Sequence, residues 1–148
     1  METAVLAPWD LIGTGYILVG RFGESFVRKH CEVVEPLMKG FKGGFGAIML
    51  VDYGTSNVGP YQELLFIPGR FSFGGRRYFH IPQIRVSTES SVENGRRNWG
   101  IPKSLAQFSF ASDDRMDRVE VKQGNESIAS CVFEPKLGKI PFTTSMLP

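Results

Sequence analysis

Lys103 has the surroundings in this 148-residue chain that best suit covalent chemistry. It follows Pro102 directly and precedes a stretch carrying Leu105, Phe108 and Phe110. An amine held out of water between a rigid proline and an apolar run loses the solvation that favours its charge, and a neutral amine is a nucleophile. By residue type alone, a solvated surface lysine is the competing reading. Other catalytic patterns fail on inspection. The chain has no Gly-x-Ser-x-Gly, His-Glu-x-x-His or Cys-x-x-Cys sequence, and two histidines, His30 and His80, are too few for a metal cluster. His30 adjoins Cys31, but side chains of chain neighbours generally diverge, so the pair is not a base and its thiol. No metal and no cofactor are expected.

The run Asn94-Gly95-Arg96-Arg97-Asn98-Trp99-Gly100-Ile101-Pro102-Lys103, with Gly59-Pro60-Tyr61-Gln62-Glu63 upstream, resembles the acetoacetate decarboxylase superfamily. There a Gly-Arg, a short spacer and Pro-Lys bring up a Schiff-base lysine, and a Tyr-x-Glu supplies a carboxylate. The opening Pro8-Trp9-Asp10-Leu11 and Gly15-Tyr16-Ile17 are similar to the start of that superfamily's broader branch, so the likeness runs from about Pro8 to the last residue. It implies Lys103 and Glu63 as catalytic residues, with Arg96, Tyr61 and Trp99 as substrate-binding residues. Arg96 has an equal structural reading, fixing its loop through carbonyls, and Tyr61 and Trp99 suit a pocket wall.

The implied function is that of a carbon–carbon lyase acting on a small keto-acid through an imine. A catalytically inactive binding homologue, or a truncated non-functional form, is the alternative. Two departures bear on the choice. The family follows its lysine with a second one, whereas here Ser104 follows Lys103, and the family's other acidic position falls on Ala47-Ile48-Met49. A cation ~6 Å away is worth roughly 2.8 kcal/mol at an effective dielectric near 20, about 2 pKa units. On that arithmetic Ser104→Lys is expected to restore the missing help.

The elements that must position these residues are mainly strands. Composition (42% hydrophobic, 22% charged, with 17 glycines and 12 phenylalanines) suits one soluble, turn-rich β domain. Strands are expected at Gly15 to Phe22, Ala47 to Tyr53, Tyr61 to Ile67 and Arg85 to Thr88. A hairpin turns at Gly74-Gly75 between Phe71–Phe73 and Arg77–Phe79, and three more strands run over Ala106–Ala111, Arg118–Gln123 and Ser127–Phe133. Glu24 to Val34 allows a helical turn. Lys39 to Gly46, with four glycines and no Gly-Lys-Ser/Thr, reads as a flexible turn rather than a phosphate loop. Ser90-x-x-Glu93 matches a capping box, but Gly95 is expected to stop the helix after one turn.

The expected fold is therefore mainly β (α+β), an antiparallel barrel or sandwich of the acetoacetate decarboxylase-like type, incomplete at its C-terminus. Residues 1–14 form an arm and 15–148 a single partial domain.

Between Arg70 and Lys103 seven basic residues face two acidic ones, a local +5 in a chain of net +2. That patch can attract a small anion, or it can be a solvated set of arginines. Without a helix-turn-helix, zinc-finger or RNA-binding signature, nucleic acid is not an expected partner. Two cysteines, Cys31 and Cys131, read as free thiols in a reducing compartment. With no charged, apolar leader after Met1 and no apolar run of ~18 residues, a cytoplasmic protein without membrane attachment is expected. Ile140, Phe142, Met146 and Leu147 have no evident later strand to pack on, and a homo-oligomer is the expected remedy.

Overall fold

The structure is a computed structural model and describes residues 4–143. Its backbone contacts gather into two compact units, one reaching Gln107 and the other beginning at Phe108.

The first unit is organised by a five-stranded sheet. β1 (Ile12–Arg21) pairs with β3 (Phe45–Thr55), β3 with β4 (Tyr61–Ile67), and β4 with β7 (Gln83–Val86), all antiparallel. β8 (Lys103–Leu105) closes the order alongside β7 in parallel. A parallel neighbour needs a crossover, and α3 (Glu89–Trp99) supplies it between β7 and β8. A smaller sheet orders β2 (Phe41–Gly43), β5 (Arg70–Phe73) and β6 (Arg76–Phe79). α1 (Glu24–His30) and α2 (Glu35–Met38) precede it. Val27, Met38 and Phe71 are the buried centre of the core these pieces share, with Phe22, Cys31 and Phe41 against it.

The second unit is an antiparallel meander of β9 (Gln107–Ser112), β10 (Asp117–Gln123) and β11 (Glu126–Phe133). Val119 and Val121 on its central strand are buried. The turn at Gly124 has φ +60°, where glycine alone is unstrained.

The mainly β expectation holds, with three open sheets and no closed barrel among the described residues. Tyr61–Ile67 and the Gly74-Gly75 hairpin fall where expected. Several details differ, and the strand expected at Arg85 to Thr88 runs instead over Gln83–Val86, with Thr88 capping the helix that follows. The first strand starts at Ile12. The glycine-rich segment is not a plain turn, because Phe41–Gly43 pairs with β5. The helix that Gly95 was expected to stop runs from Glu89 to Trp99. Its cap is Thr88, whose hydroxyl accepts from the Ser91 N–H, and its end is Gly100 in the left-handed region at φ 64°. A single interior glycine costs a helix only about 1 kcal/mol, which burial of one face outweighs.

No helix among the described residues is long and apolar enough to cross a membrane, which says nothing of strands. Ile140 and Phe142 are exposed, while Met146 and Leu147 lie outside the described residues.

Candidate active site around Lys103

Strand alternation decides which side chains share this site. The register sets Ile84 beside Lys103 and Leu65, and Val86 beside Glu63 and Leu105. Glu63, Lys103 and Tyr61 therefore lie on one face of the sheet. α3 crosses that face, and its Val92 packs on the buried Tyr61, Ile84 and Val86. Lys103 Nζ donates to Glu63 Oε2 at 3.0 Å and to Ser91 Oγ at 3.2 Å. The two side chains of the ion pair are only 5% and 9% exposed. The rings of Tyr61 and Trp9 stand 5.2 and 5.5 Å from Nζ, inside cation–π range.

Helix α3 makes room for the lysine stem. Gly95 is buried, and a Cβ there would come within 2.7 Å of Lys103 Cδ and 2.9 Å of Cε. Ser91 and Gly95 are four residues apart and so share a helix face. One holds the amine, and the other lets the chain of methylenes pass. Arg96 from the same helix donates from Nε to the Lys103 carbonyl at 2.9 Å. That is its structural reading, a clamp on the start of β8.

Burial raises the pKa of the Tyr61 and Tyr53 hydroxyls, and the charge of Glu63 adds to the effect. Both stay neutral donors well into the alkaline range. Tyr61 reaches Glu63 Oε2 in a long 3.5 Å contact.

Of the residues expected from the sequence, the structure brings together Lys103, Glu63 and Tyr61. Arg96 touches the lysine backbone rather than its amine. Trp99 is half-exposed and meets the site through Trp9, edge to face at 4.8 Å. Sequence reasoning missed Ser91, Gly95 and Trp9. Gly95 and Ser91 were legible in principle as residues four apart, had the helix been extended through the glycine.

Ser104 overturns an expectation. It lies opposite Arg85 in the register and so faces the other side of the sheet from Lys103. A lysine there would not stand beside the Lys103 amine. Arg85, buried on that far face, donates to Glu32 at 2.8 Å, and Gln83 on the same face bonds His30 O and the Glu32 N–H. Cys31 packs against the core of Val27, Met38 and Phe71, where burial pushes its thiol up to about 11. His30 lies against the Phe26 ring. A thiol whose pKa burial has raised lacks the setting of a catalytic cysteine. Among the described residues no group of three metal-ligating side chains forms.

A mainly β domain with a buried lysine paired to a buried carboxylate is the class that fold and site define together. Residues 32–143 match the sequence profile of the acetoacetate decarboxylase (ADC) family, so the chain belongs to that family. It is 29% identical over 93 residues to Decarboxylase DEC1 of Cochliobolus heterostrophus, which covers 60% of this chain and 36% of that protein. Its fold is similar to that of acetoacetate decarboxylase from Legionella pneumophila, with a TM-score of 0.69 at 16% identity over 95% of this chain and 55% of the other. The enduracididine biosynthesis enzyme MppR superposes with a TM-score of 0.58 at 12% identity, over 83% of this chain and 55% of that one. The chain thus spans about half or less of each of these proteins.

Proposed function

We propose that the chain acts on a small keto-acid through an imine at Lys103, with Glu63 as the proton acceptor and donor. The observation that carries this reading is the 3.0 Å contact between Lys103 Nζ and Glu63 Oε2, both buried. Glu63 is the carboxylate within hydrogen-bond reach of the amine, the first requirement of a general base. It takes a proton from Nζ, and the freed electron pair attacks the ketone carbon to give a carbinolamine. The former carbonyl oxygen takes up a proton and leaves as water, forming the protonated imine. In a 3-keto-acid, the bond to the carboxylate then breaks. Its electron pair moves into the enamine as CO2 departs, the enamine carbon is protonated, and water releases the ketone and restores Lys103. Tyr61, held neutral, is a hydroxyl donor beside the carboxylate.

The same imine serves 2-keto-acids in condensation or dehydration, and one observation favours keeping that second reading. MppR, which shares the fold, has been solved in complex with pyruvate. Borohydride reduction in the presence of 3-keto-acids and pyruvate tests both. A mass increment on the Lys103 peptide that disappears in Lys103→Ala and Lys103→Arg is expected, since a guanidinium forms no imine. CO2 release with the 3-keto-acid separates decarboxylation from condensation. Absence of any adduct would leave the inactive-homologue alternative standing. Assembly is part of the same reading. Ile12, Ile17 and Val19 are exposed along β1, the sheet's edge, and a homo-oligomer that covers them is expected by light scattering.

A further inference from the structure

We propose that Trp9, delivered by the N-terminal segment and latched onto α3, decides which carbonyl compounds reach the Lys103 amine. The inference rests on the imine reading for its substrate class, keto-acids sorted by bulk, but the covering of the amine stands on geometry alone.

Four groups surround Nζ. Glu63 and Tyr61 sit on β4, hydrogen-bonded to β3 on one side and β7 on the other. Ser91 sits in the first turn of α3, under its cap. Trp9 belongs to no helix or strand, since residues 4–11 precede β1. The segment is nevertheless seated by a built contact. Asn94 Oδ1 accepts from the Val5 N–H at 2.8 Å, and Asn98 Nδ2 donates to the Val5 carbonyl at 2.7 Å. The two asparagines are one helical turn apart and satisfy both backbone groups of a single residue, as a neighbouring strand would. Asn94 is buried, and its own amide N–H is committed to Ser90 O at 3.0 Å. Further along, Asp10 N–H donates to Asn57 Oδ1 at 2.6 Å. Between these anchors Trp9 lies against Trp99 and 5.5 Å from Nζ.

With the segment seated, the lysine side chain is 5% exposed, and a carbonyl compound needs room beside Nζ. Moving β4 would break ladders on two sides, and moving α3 would uncap it. Moving Trp9 breaks a few isolated hydrogen bonds, the ring contact with Trp99 and the cation–π contact with Nζ. The indole is therefore the displaceable wall, and its bulk sets what enters while the asparagine latch holds.

The test uses the full chain and reads the amine directly by acylation, which any uncharged amine undergoes whether or not it forms imines. The wild type is treated with acetic anhydride or with a bulky aryl N-hydroxysuccinimide ester, and modification of the Lys103 and Lys136 peptides is measured by mass spectrometry. Lys136 is well exposed and serves as reference. In Trp9→Ala, bulky labelling of Lys103 relative to acetylation is expected to rise by about tenfold or more, the scale on which a pocket wall discriminates size. Trp9→Phe keeps a wall and stays near wild type. Asn98→Ala leaves Trp9 intact, loosens the latch and gives a smaller rise, which keeps the test open should Trp9→Ala not fold. A bulky-to-small ratio unchanged in both Trp9→Ala and Asn98→Ala overturns the proposal. So does a wild type in which Lys103 takes the bulky reagent as readily as Lys136. Absence of borohydride adducts, by contrast, strikes the imine reading and not the cover.

Discussion

On one face of the five-stranded sheet Lys103 meets Glu63 at 3.0 Å, with side chains 5% and 9% exposed. On the other face Arg85 meets Glu32 at 2.8 Å, with 10% and 70% exposed. The two cations come from adjacent strands and adjacent register positions, yet their partners differ in what water can do for them. Glu32 is solvated whether or not Arg85 is present, so the arginine works as a clamp that ties the end of α1 to β7. A guanidinium does not give up its proton at ordinary pH, which suits that purpose. Glu63 has no water to fall back on. A pair buried at both ends is weak evidence for stability, because desolvation offsets most of the Coulomb gain. The sheet thus holds a structural pair on one face and, on the other, the buried pair on which the proposed chemistry rests.

The largest test of that contrast removes one partner on each side. Lys103→Met leaves a buried carboxylate uncompensated and is expected to cost about 3–5 kcal/mol in urea denaturation. Adding Glu63→Gln should recover most of it. Arg85→Met, which leaves only the largely exposed Glu32 carboxylate without its partner, should cost clearly less, about 1 kcal/mol through the ion pair. Equal costs for the two single variants would erase the distinction.

Gly95→Ala sharpens it on the Lys103 face. The new Cβ displaces the lysine stem, so borohydride trapping should fall by about tenfold or more, since small misplacements of a reacting group carry large rate penalties. Stability should fall by less than in Lys103→Met, because alanine gains about 1 kcal/mol of helix propensity and the displaced ammonium still carries its charge on the Glu63 side. A large loss of stability with trapping preserved would contradict the geometry.

Ser104→Lys probes the separation of the faces. The new ammonium would sit beside Arg85, a like-charge neighbour on the far side, at a cost of roughly 1 kcal/mol. The pH profile of Lys103 trapping should not move. A shifted profile would mean that the two faces communicate.

The smallest effect is alkaline. Burial raises the pKa of Cys31 to about 11, and raises those of Tyr53 and Tyr61 as well. A raised acid favours its protonated form in the folded state. Its stabilisation is complete below the unfolded pKa, near 9 for the thiol and 10 for the phenols, and fades as pH climbs through the folded value. Melting temperatures should therefore decline above about pH 9. Cys31→Ala should flatten the part of that decline between 9 and about 11.

Much of this was legible in the sequence where local signals act alone. The continuous apolar run of β3, the β4 segment stopped by Pro68-Gly69 and the Gly-Gly hairpin each carry their own boundary. That Lys103 and Glu63, 40 residues apart, belong to one site was readable only through resemblance, because no local rule pairs β4 with β8. The helix through Gly95 was not legible, since glycine's propensity argues against it and only the lysine packed on it explains the choice. Trp9 was missed for a similar reason. Its place depends on Asn94 and Asn98, which look like ordinary polar helix residues until Val5 is laid against them. The orientation of Ser104 was misjudged because sequence adjacency was taken as spatial adjacency, which a strand forbids.

Gly95 also leaves a trace for descent. Alanine in its place would serve the helix better by about 1 kcal/mol, and the lysine stem opposes that change. In a lineage that lost the amine, nothing would hold the glycine against drift, and the position would fill. Glycine and lysine eight residues apart should therefore be inherited or abandoned together. Chains of this family that keep the lysine but carry a side chain at the glycine must have rerouted the helix. On the imine reading proposed above, chains that have lost both would, from two letters, be read as having given up the reaction.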